Sequence, residues 1–250
     1  LTRPDGRTDY EGTDSLPNTP SDSMGREFYT FDDLVAAKRV QSSDVSFVIP
    51  RRNWIAGTIY DIYRHDYGEY TTGSTSVRQT SNSGATTLYD ATFYVLTSAR
   101  NVYKCLDNNG GSASTDEPTG VSTSVITTTD SYKWKYMYTL SAAQQASFLS
   151  TDFMAVSPNS SPSSDQSNVM SAAVDGSIDI IKIKTAGSGG TNGTFTNIPI
   201  RGDGNGGIAS VTVAGGLVSA VAVTTPGTGY TFGTISNAQI VAAGATNLAG

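Results

Sequence analysis

The sequence predicts a mainly β protein, α+β only by virtue of two short helices, with β-sandwich-like layers, long loops and a Gly-rich β-repeat segment. Three observations carry this. Short runs such as VSFVIP and ATFYVLT are β-branched and aromatic. Stretches full of turn residues, GEYTTGSTSVRQTSNSGATT and DNNGGSASTDEPTG, read as long loops between them. The last third of the chain repeats itself around Gly-x-Gly turns. At 250 residues the chain is long enough for one large β domain or two smaller ones.

In chain order, residues 1–25 are rich in Pro, Asp, Gly and Ser without a hydrophobic period, and are expected to be an extended arm. A β-rich domain is expected over 26–156. Its first helix falls at about 31–40, where Thr30 stands at the N-cap, Asp33 at the capping-box position and Lys38 and Arg39 near the C-terminus. Its second falls at about 141–150, where Ser141 and Gln144 make the S-x-x-Q capping pattern. The Ser/Pro-rich stretch 157–170 reads as a linker. The segment 171–250 reads as a Gly-rich β domain. There, residues 181–204 align on 221–244 at an offset of 40 with nine of 24 positions identical, each unit reading strand, Gly-x-Gly turn, strand. Two such units are marginal alone, so more chain or a partner is expected to complete the domain. The start at Leu1 without a methionine fits the same expectation of a longer chain.

Between the units, a two-residue turn at Gly215 and Gly216 would set Val213 opposite Val218, Val211 opposite Ala220 and Ala209 opposite Ala222. In SYKWKYMYTL, period two puts Tyr132, Trp134, Tyr136, Tyr138 and Leu140 on one face and Lys133, Lys135, Met137 and Thr139 on the other. Because the lysines point away from the rings, the stripe reads as a core or subunit-interface strand rather than a platform for bases.

Composition excludes several functions. A net charge of −6 and no Lys/Arg run longer than two argue against nucleic acid. One cysteine and one histidine leave no multi-cysteine or multi-histidine metal site, and no cofactor is expected. No run approaches the ~20 apolar residues of a membrane span, so no membrane is expected. His65 has Asp61, Asp66 and Glu69 nearby, but no G-x-S-x-G elbow accompanies it. Cys105 sits among strand-like neighbours with no local base and reads as a buried thiol. RGD at 201–203 reads as a turn of the repeat, and DGNGG at 203–207 lacks the closing glutamate of a calcium loop. The expectation is a protein that is not an enzyme.

Three stretches together resemble a known family: SSDVSFVIPRRNWIAGTIYDIY (42–63), LYDATFYVLTSARNVYKCLDNNGGSASTDEPTG (88–120) and DSYKWKYMYTLSAAQQASFLSTDFMAV (130–156). In order and spacing they are similar to the dimeric baseplate wedge subunit of T-even-type contractile-tailed phages, in its cyanophage version. The resemblance covers about 28–157. The N-terminal arm departs from the family, which has a Trp-containing segment there, and the Gly-x-Gly repeats lie outside the match. The resemblance implies a non-enzymatic virion protein of the tail baseplate, made in the host cytoplasm, that forms a homodimer and holds other wedge proteins for tail assembly and infection. Candidate interface residues are Arg51 and Arg52, suited to a neighbour's carboxylates, and Trp54, Tyr60, Tyr63, Trp134, Tyr136 and Tyr138 as aromatic anchors. The alternative is a carbohydrate-binding tail or adhesin module, with Tyr230 as a ring that meets glycan.

Overall fold

The computed structural model describes residues 39, 41, 44–64, 68–72, 75–79, 81–157 and 162–249, with 68–72 and 75–79 described through their backbone. The predicted arm over 1–25, the helix at 31–40 apart from Arg39, and His65 and Asp66 lie outside them. Contacts group the chain into two compact units, Leu1–Ser46 and Phe47–Gly250. In the first, the Asp44 N–H donates to the carbonyl of Gln41 at 2.9 Å, and the Gln41 N–H donates to Asp44 Oδ2 at 3.0 Å.

The second unit is mainly β, as the sequence predicts, with 31% strand against 14% helix. Its strands form several antiparallel sheets. β1 (Val48–Pro50) starts the unit. β2 (Gly68–Thr72) and β3 (Thr75–Gln79) then form a hairpin with Tyr70 opposite Val77, where the sequence reads as loop. The Thr, Tyr and Val content of the arms favours extended backbone, which explains the difference.

The main sheet joins β4 (Tyr94–Leu96), β5 (Asn101–Asp107), β6 (Ile126–Thr127) and β7 (Lys133–Thr139) in the order β4-β5-β7-β6. Two bulges break its register. Tyr103 faces Tyr136 but Val102 faces Tyr138, so Met137 is an extra residue, as is Leu106 between the pairs Cys105/Trp134 and Asp107/Lys133. The aromatic stripe is therefore split. Tyr132, Trp134 and Tyr136 pack with Tyr60, Val95, Tyr103 and Cys105 in one cluster, whereas Tyr138 and Leu140 pack with Tyr94, Leu96, Val102, Met154 and Ala155 in another. An inserted residue turns every later side chain to the other face.

α1 (Ala142–Phe148) carries the predicted capping box: Ser141 Oγ accepts from the Gln144 N–H and Gln144 Oε1 accepts from the Ser141 N–H. β8 (Phe153–Ala155) returns to pair with β1. Part of the predicted linker is a second helix, α2 (Ser164–Ala172), capped by Ser163, whose Oγ accepts from the Gln166 N–H. It lies against β7, and its Val169 packs onto the first aromatic cluster.

The Gly-rich segment contains β9 (Gly193–Pro199), β10 (Arg201–Gly202), β11 (Ile208–Ala214), β12 (Leu217–Thr225), β13 (Gly233–Thr234) and α3 (Asn237–Ala242). The hairpin at Gly215 and Gly216 exists, and Val213 faces Val218 as predicted. Beyond that pair the prediction fails by one residue: Thr212 faces Ala220 and Val211 faces Val221, leaving Ser219 as a bulge. The bulge turns Val221 and Val223, rather than Ala220 and Ala222, towards the core. Each extra buried methylene contributes about 0.8 kcal/mol, which outweighs a disrupted ladder bond at the surface.

The repeat is only partly a structural one. Its Gly-x-Gly turns match closely, with φ of 69° and 72° at Gly187 and Gly189 and of 67° and 71° at Gly227 and Gly229, values that favour glycine. The segments after the turns differ, since Asn197–Ile200 ends a strand and Asn237–Ile240 lies in a helix. Pro199 biases Ile198 before it towards extended backbone in the first unit, and its counterpart Gln239 caps a helix in the second, accepting from the Ser236 N–H.

Candidate functional site

The eight sequence-predicted residues occupy very different places. Arg51 and Arg52 begin a loop and bind within the chain. Arg51 donates from Nε to Asn53 Oδ1 at 2.9 Å and from Nη1 to the Ser150 carbonyl at 2.8 Å. Arg52 Nη2 donates to the carbonyls of Tyr89 and Asp90, and its guanidinium lies 5.6 Å from the Tyr94 ring centre. Both arginines thus fasten the loop to neighbouring segments.

Trp54 packs against the first aromatic cluster and donates from Nε1 to Ser114 Oγ at 3.2 Å. Tyr60, Trp134, Tyr136 and Tyr138 are buried within the chain, with Trp134 and Tyr136 at 0% exposure. Tyr60 meets Trp134 edge-on at 5.6 Å, and Tyr136 meets Tyr103 edge-on at 5.8 Å. In the folded chain these four side chains serve the core. Burial lifts the Tyr60, Tyr136 and Tyr138 hydroxyls above the ordinary phenol range and Tyr132 to about 12. Burial likewise pushes up the Cys105 thiol, which is 0% exposed and lacks the thiolate a nucleophile needs.

Asp61, which the sequence places near His65, is spent on structure. It is fully buried, and its Oδ1 accepts from the Ser83 N–H at 2.9 Å. Its Oδ2 accepts from Ser83 Oγ at 2.6 Å, the Thr92 N–H at 2.6 Å and Thr92 Oγ1 at 3.0 Å. Burial alone would raise its pKa, and these hydrogen bonds bring it below the usual carboxylate range. Asp130 acts likewise on the 114–116 loop, accepting from Ser114 Oγ and from the N–H groups of Thr115 and Asp116. Asp203, of the RGD and DGNGG motifs, accepts from the Thr231 and Phe232 N–H groups and the Thr231 hydroxyl. Among the described residues no cluster of three or more His, Cys, Asp or Glu could hold a metal ion. No helix of the described residues is long and apolar enough to cross a membrane.

Two open surfaces among the described residues bear on the sequence-predicted candidates. The first is the loop between Arg51 and Tyr60, which holds Ile55 and Ile59 at 62% and 43% exposure. It is fixed at both ends, by the Trp54 N–H to the Leu96 carbonyl and by the Gly57 N–H to the Ser114 carbonyl. The second is a groove of about 590 Å³ between the main sheet and the Gly-rich segment. It is lined by Tyr63, Lys104 and Leu106, by Ser177–Lys182 and by Tyr230–Gly233. Tyr63 is the one sequence-predicted anchor that lies here, with Lys104 Nζ 4.4 Å from its ring centre. The ring expected to meet glycan is elsewhere employed: Tyr230 is 8% exposed, its hydroxyl donating to the Ile200 carbonyl and accepting from the Gly207 N–H. Phe232, two residues on, is exposed instead.

Sequence reading missed Lys104 because its role comes from the fold. Two ion pairs, Lys135 with Asp179 at 3.3 Å and Lys182 with Asp107 at 2.6 Å, hold the 179–182 segment over β5 and β7 and close the groove around Lys104. Burial depresses the Lys104 pKa, and nearby Asp179 only partly offsets this. Comparison of the chain with protein-family models, with curated proteins and with solved structures returned no match.

Proposed function

We propose that this chain is a structural subunit of a phage tail baseplate, a wedge protein that dimerises and holds other wedge proteins in fixed geometry for tail assembly and infection. The observation that carries the reading is the Arg51–Tyr60 loop. It belongs to one of the three resembling stretches, and it presents Ile55 and Ile59 to solvent while its arginines and Trp54 fasten it down. An apolar surface on a rigid support loses little entropy when a partner covers it, which suits a permanent interface. The three resembling stretches also meet in space: β1 pairs with β8, Asn53 bridges Leu96, Thr58 bridges Ser114, and β5 pairs with β7.

The test is the solution mass by light scattering coupled to gel filtration, over a concentration series. A mass twice the 26.2 kDa of the chain, independent of concentration, is expected. Ile55→Asp combined with Ile59→Asp should then reduce dimerisation or binding of baseplate partners. A monomer at every concentration that also fails to bind any baseplate protein overturns the reading.

A further inference from the structure

The groove beside Lys104 has a wall with an unusual property. Among the described residues, Asp179–Thr185 make no backbone hydrogen bond at all, although the segment is not buried; it lies outside any helix or strand, with a bend at Lys184. Its counterpart one repeat later, Ser219–Thr225, lies in β12 and pairs with β11. The two segments hold equivalent positions. Ile178 donates its N–H to the Pro226 carbonyl, and 40 residues later Val218 donates its N–H to the Ala186 carbonyl. Only the neighbour differs: where the second repeat is preceded by β11, the first is preceded by α2. The first repeat therefore presents a strand position whose pairing partner the described chain does not supply.

The groove also has a chemical preference. Its lining carries Lys104 and Lys182 beside the carboxylate of Asp179, in a chain of net charge −6. Asp179 is taken by Lys135, and Lys182 by Asp107. Lys104 has no carboxylate within ion-pair distance among the described residues, and its ammonium lies over the face of Tyr63. Phe232, 60% exposed, adds an apolar surface to the lining.

We propose that this groove docks an extended acidic peptide segment of a partner protein, which adds as a strand to the unpaired backbone of Asp179–Thr185 and sets a carboxylate against Lys104. Backbone hydrogen bonds along the open edge supply affinity, and Lys104 with Phe232 supplies side-chain selection, as in other cases of strand addition. The inference goes beyond the assembly role above and stands on the groove alone, so it is tested separately from dimerisation.

The probe is a fluorescein-labelled heptapeptide of the β11 sequence, IASVTVA, with one glutamate placed in turn at each position, titrated into the full chain by fluorescence polarisation. At least one member is expected to bind with Kd below about 100 μM. Lys104→Met, which keeps the stem over Tyr63, should weaken that member about tenfold, as should glutamine in place of its glutamate on the wild-type protein. Alternate N-methylation of the peptide backbone, which leaves the protein untouched, should abolish binding. If no member binds, or if binding is indifferent to N-methylation or to Lys104→Met, the proposal is overturned. Binding of an oligogalacturonate in place of the peptides would also overturn it, and would assign the groove to acidic glycan.

Discussion

The substitution Asp61→Asn exchanges one side-chain oxygen for an amide group and should cost the unit much of its stability. The carboxylate receives four hydrogen bonds, one at Oδ1 and three at Oδ2, all from donors on the segments around Ser83 and Thr92. If the amide oxygen of the introduced asparagine takes the Oδ2 position, its NH2 group points at the Ser83 N–H, donor against donor. If it flips, three donors lose their acceptor. The better orientation forfeits one charge-assisted bond, worth about 1.5–3 kcal/mol, and leaves a donor unsatisfied at about 1–3 kcal/mol. Local relaxation recovers part of this, so a loss of about 3 kcal/mol is expected. For a unit of this size that lowers Tm by roughly 6–12 °C. Thermal unfolding followed by tryptophan fluorescence at pH 7 reads it directly, because Trp134 lies in the cluster that Tyr60, next to Asp61, helps to form. A Tm within about 1 °C of wild type, against the shift expected from such a loss, would show that the carboxylate is not the clamp described.

A Cβ added at Gly204 would run into the Tyr230 ring, so Gly204→Ala should destabilise by about 1–3 kcal/mol in urea unfolding, while Gly206→Ala, whose Cβ meets nothing, should show only the strain of its positive φ. Deleting Ser219 should be tolerated to within about 1 kcal/mol, because removal of the bulge residue leaves Val213 opposite Val218 and Val211 opposite Val221; loss of folding would refute the register. Asp130 is held down to about 2 from an ordinary 3.8: burial alone would raise it, and bonds from Thr128, Thr115, Ser114 and Asp116 overcome that. With the folded value below the unfolded one, its stabilisation is complete above about pH 4 and is lost as pH falls towards 2. Tm should therefore fall across that window, and less steeply in Asp130→Asn.

Much of this fold is legible in the sequence, and the failures have definite causes. Helix α1 is announced by Ser141 and Gln144, and the same S-x-x-Q pattern stands at Ser163 and Gln166 and at Ser236 and Gln239, where α2 and α3 begin. Those two are obscured by context: Ser and Pro neighbours resemble a linker, and the apparent repeat implies a strand. Strand positions are legible but faces are not, because Met137, Leu106 and Ser219 are bulges and a bulge leaves no mark on period two. The candidate site is the least legible part. Trp134, Tyr136 and Tyr138 are what a partner-binding stripe and a core strand have in common, and only burial separates the two. Lys104 becomes notable only once ion pairs between distant segments enclose it.

The two repeat units depend on each other in a way their alignment does not reveal. Gly190 donates its N–H to the Gly216 carbonyl, and Tyr230, its counterpart, donates to that of Gly176, which is Gly216 moved back by 40. Ser188, in the first Gly-x-Gly turn, bridges Ala249 beyond the second unit, while Thr228, in the second turn, bridges Asn205 beyond the first. Thr191 Oγ1 donates to the Thr246 carbonyl beyond the second unit, and the Thr231 N–H donates to Asp203 Oδ1 at the end of the first. Each turn is thus closed by the flank of the other unit, an approximate two-fold exchange near whose centre Gln239 Nε2 donates to the carbonyl of its own counterpart, Pro199. Neither unit contains the partners of its own turn, so the two must fold together. The exchange breaks down at one place, where α2 precedes the first unit and leaves Asp179–Thr185 without the strand that β11 provides for β12. That departure from symmetry is what opens the edge beside Lys104, and it makes the groove a consequence of the repeat rather than an accident of two packed sheets.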